Sequence, residues 1–341
     1  MGSFSLNYLL RRLLVFFLTV WVAATLIFII PRLAPGDPIQ AMIARMTQFE
    51  GYVENADLII EAWRKRFGLD DPLHVQYLRF LGNTLRLDLG YSMANFPATV
   101  YELVGRALPW TIGLVGIATF IFFTVGNLCG ALLAWYRTPK WLKVLIPMSM
   151  TFTSVPPALF SLLLVYIFGF LIRVNNNPLF PQVGAYGRGM APEFTLEFFG
   201  SVLYHGFLPA MSIVLVTFGF WALGMRGMMV TIEGEDYMIL AQAKGLKPFY
   251  VLYRYMIRNA ILPQMTALAV SIGTLINGSV LVEIMFVYNG MGSLIYSGIA
   301  NQDFGLIQGT SFILIVTSAL AVLIIDLTYP LIDPRISLEG R

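Results

Sequence analysis

Three ionisable side chains stand in or at the ends of long apolar runs: Arg226, Glu283 and Asp326. An ionised group at membrane depth is costly, so such residues pair with one another, line a pathway, or snorkel to water or headgroups. The chemistry open to them is ion pairing rather than bond making. There is no GxSxG nucleophile elbow, no HExxH metal pair and no cluster of intramembrane His, Asp or Glu. There is also no GxxxxGK[ST] loop to cradle a phosphate, so the chain is not expected to bind or hydrolyse a nucleotide. His74 and His205 are too few and too far apart to suggest a metal site, and the single Cys129 excludes a disulfide framework. Catalytic residues, metal ligands and a bound cofactor are therefore not expected.

A second stretch carries polar chemistry between two apolar runs: GEDYMILAQAKGLKPFYVLYRYMIRNAILPQM, Gly234 to Met265. Asp236 is expected to cap a helix that begins at Tyr237 and ends at Gly245. That helix has roughly eight residues and is ~12 Å long, too short to be stable alone in water. It must be held by packing, on its own protein or on a partner. Tyr237, Leu240, Ala241 and Lys244 share one face, and Ala241 and Ala243 keep the helix thin. Pro248 suits the first turn of a second helix with Phe249, Leu252, Tyr253 and Met256 on one face. Arg254 and Arg258 lie together, and Pro263 opens the next apolar run. Two uses fit this hairpin: docking on a partner protein, or lying in a membrane interface with its arginines on lipid phosphates.

The elements that position these residues follow from composition. Hydrophobic residues make up 57% of the 341 residues and charged residues only 12%, against about 25% charged in a soluble domain. Mean hydropathy is +0.74. The chain reads as an all-α polytopic membrane protein; a net charge of +3 gives no reason to invoke nucleic acid. Six runs suit transmembrane helices: Leu13–Ile30, Leu108–Tyr136, Val144–Ile172, Gly206–Met225, Ala260–Val282 and Phe304–Ile325. The first, after Arg11 and Arg12, is read as a retained anchor. Pro147, Pro156 and Pro157 predict a kink or break in the third.

Lys and Arg concentrate in alternate connections: Arg11, Arg12, Arg137, Lys140, Lys143, Arg226, Lys244, Lys247, Arg254, Arg258, Arg335 and Arg341 fall on one side. The two short loops opposite hold only Arg173 and Arg188. Both termini are therefore expected in the cytoplasm. Residues 1–31 form the N-terminal segment and first helix, 32–107 an extracytoplasmic subdomain, and 108–341 a five-helix core with a cytoplasmic loop at 230–259. Arg226 and Asp326 fall at similar depth near the cytoplasmic interface and are candidates for a structural ion pair. Glu283 lies roughly 33 Å beyond Ala260 at helical rise, near the outer interface, where it is a candidate to border a gate. Gly273, Gly278 and Ser279 suit close helix packing.

The loop resembles the "EAA" loop of inner-membrane permease subunits of bacterial ABC importers, and most closely the dipeptide/oligopeptide permease group. That group's DYxxxAxAKGL run is matched by Asp236, Tyr237, Ala241, Ala243, Lys244, Gly245 and Leu246, and RNAILP by Arg258–Pro263. Ile239 and Leu240 depart from the wider consensus, which has Glu and Ala there. Further matches are PRLAPGDP at Pro31–Pro38, FGLDDPLHVQYLRFLGNTLRLDLGYS at Phe67–Ser92, LPWTIGL at Leu108–Leu114 and DPRI at Asp333–Ile336. The resemblance implies a multi-pass protein of a prokaryotic inner membrane whose loop, including Leu240, couples to an ATPase. It implies a second, related permease, two ATPase subunits that use ATP and Mg²⁺, and an extracytoplasmic binding protein. It also implies a pathway at the interface of two permeases, for which Gly273, Asn277, Gly278 and Glu283 are candidates. Peptide is the expected substrate, with oligosaccharides or nickel chelates as alternatives. An intramembrane enzyme lacks its motifs here, and an ion-coupled carrier would need ionisable or unwound sites at the midplane.

Overall fold

A computed structural model describes residues 6–33 and 71–332. The motif residues beyond Leu33, those before Asp71, and DPRI with Arg335 and Arg341 lie outside the described residues. Among the described residues, five helices are long and apolar enough to cross a membrane: Leu6–Ile30, Val100–Ala134, Leu196–Glu233, Pro248–Met285 and Phe304–Thr328. A bent pair, Lys140–Thr153 and Pro157–Leu171, makes six if it counts as one span.

In chain order the helices are α1 (Leu6–Leu33), α2 (Leu73–Leu85), α3 (Val100–Ala134), α4 (Leu145–Thr153), α5 (Pro157–Leu164), α6 (Leu196–Glu233), α7 (Asp236–Ala243), α8 (Pro248–Val251), α9 (Arg258–Met285), α10 (Met291–Ala300) and α11 (Phe304–Ile332). Helix α3 begins before Leu108 because Thr99 and Glu102 form a capping box. The Thr99 hydroxyl accepts from the Glu102 N–H at 3.2 Å, and the Glu102 carboxylate accepts from the Thr99 N–H at 3.3 Å. Helix α6 likewise starts at a Thr195 cap, which accepts from the Phe198 N–H.

The expected break in the third run is a bend of 105°. Pro156 and Pro157 supply no N–H to the carbonyls at the end of α4, and Pro157 then starts α5. A π-helical segment, Val165–Leu171, continues α5 into a two-residue hairpin pairing Arg173 with Pro178 and Val174 with Asn177. Asn175 and Asn176 turn it with φ of 51° and 64°, a left-handed pair that Asn tolerates.

The chain divides into two compact units. The first comprises Trp110–Asn289 with the first turns of α1 and the last turns of α11. Its main core is built by α3, α5, α6 and α9 around Phe122, Phe160, Leu208 and Trp221. Helix α6 packs against α4 so closely at Gly219 that a Cβ there would collide with Thr153 and the Ser149 carbonyl. The connection after the hairpin packs on the end of α9: the N–H of Gly184 donates to the Phe286 carbonyl, and that of Ala185 to Asn289 Oδ1.

The second unit comprises the rest of α1, residues 71–109 and Gly290–Leu320. Phe28 of α1 packs on Tyr77 and Phe80 of α2, and Thr25 hydrogen-bonds the Tyr77 hydroxyl at 2.7 Å. Helix α10, for which no apolar run of membrane length stands in the sequence, precedes a fully built cap on α11. Buried Asp303 accepts from Ser92 Oγ at 2.6 Å, Ala94 N–H at 3.0 Å and Leu306 N–H at 3.0 Å.

Candidate functional site

The connection between α6 and α9 forms two short helices. Gly234 caps α6, and extended Glu235 leads into α7. The expected Asp236 cap is not formed. Asp236 is the first residue of α7, Glu235 occupies the cap position, and no side chain there bonds the helix start. The other end follows expectation. Gly245 has φ +65°, its N–H donates to the Gln242 carbonyl at 2.9 Å, and the Leu246 N–H donates to the Ala241 carbonyl at 3.4 Å. These two bonds make a Schellman stop, with glycine at its left-handed position.

Pro248 opens α8 as expected. The chain then runs through a π-helical segment, Leu252–Ile257, into α9. Pro263 therefore lies inside α9 rather than opening it. The π-turn also changes the expected face. Leu252 and Met256 are buried, whereas Phe249 and Tyr253 are exposed, because the wider turn moves the register away from 3.6 residues.

The packing that this short helix requires comes from its own chain. Met238 and Ala241 join Ala131 of α3, Met225 and Met229 of α6, and Val251, Leu252, Met256 and Ala260 in one buried cluster. Ala241 is 2% exposed, so it does not share an accessible face with Tyr237, Leu240 and Lys244. The outward surface of α7 and its stop is Asp236, Tyr237, Ile239, Leu240, Ala243, Lys244 and Gly245, with Leu246 half-buried beside the cluster. Arg254 and Arg258 are exposed farther along.

Beside α7 lies a cleft of about 590 Å³, lined among others by Met228, Thr231, Glu235, Tyr237, Tyr255 and Asn259. Asn259 donates to the Tyr255 carbonyl at 2.7 Å. One face of α9 leads away from it. Thr266, Val270, Thr274, Asn277 and Leu281 are exposed and fall within about 80° of arc at 100° per residue. Pro263 and Asn259 continue the same arc into the cleft. A Cβ at Gly273 or Gly278 would meet nothing within 4 Å. The close packing expected of these glycines is thus not supplied by the described residues. Ser279 is buried and donates to the Ile276 carbonyl.

The expected Arg226–Asp326 pair is not formed. Asp326 pairs with Arg12 of α1 at 3.0 Å, and the Tyr8 hydroxyl donates to the Asp326 carbonyl at 2.8 Å. Similar depth along two helices does not make them neighbours, and Arg12 both marks the topology and supplies the partner charge. Arg226 Nε is buried without a hydrogen-bond partner among the described residues. Glu283 is 0% exposed and lies within the chain's own core rather than on the open face of α9. Its carbonyl accepts from the Tyr288 N–H at 2.8 Å. Burial, and then the charge of Glu283, push the Tyr288 phenol up to about 12. It stays protonated in a cage with Trp110, which meets it edge-on at 6.1 Å.

Residues 126–338 match the family described as the binding-protein-dependent transport system inner membrane component. The chain is 34% identical over 332 residues to a probable peptide ABC transporter permease protein of Sinorhizobium fredii, covering 96% of this chain and 98% of that protein. It is 32% identical over 323 residues to a probable D,D-dipeptide transport system permease protein of Escherichia coli, covering 92% of each. An oligopeptide transport system permease protein of Bacillus subtilis is 30% identical over 334 residues, with 96% and 98% covered. With several membrane-length helices, a Schellman-stopped loop carrying the AxAKGL residues, and relatives matched almost end to end, the chain belongs to the inner-membrane permease components of binding-protein-dependent ABC importers.

Proposed function

We propose that this permease carries peptides, and that α7 is the element through which separate ATPase subunits drive it. The observation that carries this reading is the two-sidedness of α7. Met238 and Ala241 anchor it in the permease, while Leu240, Ala243 and Lys244 stand outward and leave apolar surface for a groove. A rigid helix anchored to α6 and α9 transmits a push to both. The peptide assignment follows the relatives, whose names specify peptide, D,D-dipeptide and oligopeptide.

The proposed arrangement has six spans, with the bent pair as one, both termini and α7 in the cytoplasm, and residues 32–107 outside. The full assembly has a second permease, two ATPase subunits holding ATP and Mg²⁺, and an extracytoplasmic binding protein. Asn277 in the exposed arc of α9 supports a pathway wall beside Gly273 and Gly278, since an amide facing lipid would be costly. Glu283 backs that wall from inside the chain.

The test is uptake by proteoliposomes containing the assembled transporter and its binding protein. Radiolabelled di- and oligopeptides should enter in an ATP-dependent manner. Selective uptake of an oligosaccharide or a nickel chelate, with no peptide entering, would overturn the substrate assignment.

A further inference from the structure

We propose that the cleft beside α7 binds the ammonium end of a peptide on the loop side of the permease; this rests on the peptide reading above. Glu235 is the one ionisable acid lining the cleft, and no Lys or Arg lines it. Its residue is exposed, and its carboxylate has no ion pair or hydrogen bond among the described residues. Tyr237 and Tyr255 line the same cleft. A carboxylate in a cleft that also holds tyrosines suits a primary ammonium, through charge-assisted hydrogen bonds with cation–π attraction open to it.

The backbone adds to this preference. Helix α6, 38 residues long, ends at the cleft with Thr231 and Ile232 in its wall, and its last turn has no basic residue. The Thr231 and Ile232 carbonyls already accept from the Gly234 and Glu235 N–H groups, so this end adds only the field of its dipole, which favours a cation. The opposing start of α7 belongs to a helix of only 8 residues that has Asp236 in its first turn. A volume of about 590 Å³ falls in the range of small-molecule sites. The arc of α9 bearing Asn277, Thr274 and Thr266 runs down to Asn259 in the cleft wall, so a substrate passing along it arrives here. A neutral sugar can only hydrogen-bond Glu235 and gains no ion pair from it, and an anion is repelled.

The experiment uses the complete transporter in nanodiscs and a tripeptide amide carrying a photoreactive diazirine, with either a free or an acetylated amino terminus. Mass spectrometry maps the label. The free-amine probe should label the cleft residues Met228 and Leu262, and the acetylated probe about tenfold less. Glu235→Gln should lower free-amine labelling about tenfold and leave acetylated labelling unchanged; Glu235→Lys should lower it at least as far. The Glu235 carboxylate makes no hydrogen bond or ion pair among the described residues, and its backbone bonds are unaffected by the substitution, so normal assembly of Glu235→Gln is expected. Equal labelling by the two probes, no labelling of the cleft, or insensitivity to Glu235→Gln would overturn the site. Peptide uptake by the same wild-type transporter separates the two ideas. Normal uptake with any of those results removes the ammonium site alone, whereas absence of peptide uptake removes the peptide reading.

Discussion

Arg12 on α1 holds Asp326 on α11 at 3.0 Å, and the hydroxyl of Tyr8, one turn earlier, bonds the Asp326 carbonyl. The two side chains are 40% and 21% exposed, so screening limits the pair to about 1 kcal/mol. A double-mutant cycle of Arg12→Ala and Asp326→Ala should give that coupling in thermal unfolding of the assembled transporter. The corresponding cycle of Arg226→Ala and Asp326→Ala should give none. A coupling of similar size in the second cycle would mean that Arg226 is the true partner.

Gly245 carries the left-handed turn that stops α7. A residue with a Cβ pays roughly 1–2 kcal/mol there, and a β-branched one more. Gly245→Val should loosen α7 and lower transport, while Gly245→Asn, which tolerates this conformation, should stay near wild type. Uptake and loop proteolysis compared across the two variants check the order. Equal behaviour of Val and Asn would contradict it.

Asp303 ties the segment around Ser92 to the start of α11 through three accepted hydrogen bonds. Asp303→Ala leaves those donors unsatisfied and should cost about 3 kcal/mol. Asp303→Asn, which keeps one acceptor, should cost less. The readout is the unfolding midpoint, together with protease cleavage within residues 88–99, which should rise in the alanine variant.

The spans were legible because apolar runs of membrane length admit little besides helix. The break before Pro157 and the stop at Gly245 were legible because each rests on a single residue's backbone limits. The fate of Ala241 was not. Sequence spacing places it on a face with Leu240, but only tertiary packing tells which part of that face meets Met225 and Met229. The partner of Asp326 was missed for the same reason, since helix neighbours are set by the bundle and not by depth. The position of Glu283 near a span end suggests a gate, yet Glu283 is buried in the same stretch as Phe286 and Tyr288. The Thr99–Glu102 capping box was present in the sequence and would have moved the start of α3 to Val100. The cleft at Glu235 joins residues from three segments and has no local signature.

In the proposed coupling, α7 presents its outward face to the ATPase. Ala241→Arg does not test it cleanly, because that side chain would enter the permease's own core. Leu240 is 55% exposed, so Leu240→Arg should fold, insert and keep the wild-type unfolding midpoint. The decisive measurement is co-purification of the ATPase subunits with Leu240→Arg and with the double variant Arg254→Ala/Arg258→Ala, with transport assayed in the same preparations. The coupling account predicts that Leu240→Arg loses the ATPase subunits and transport while the arginine variant keeps both. Normal assembly and transport in Leu240→Arg, with loss of function on removing Arg254 and Arg258, would contradict it and favour a loop that lies on lipid.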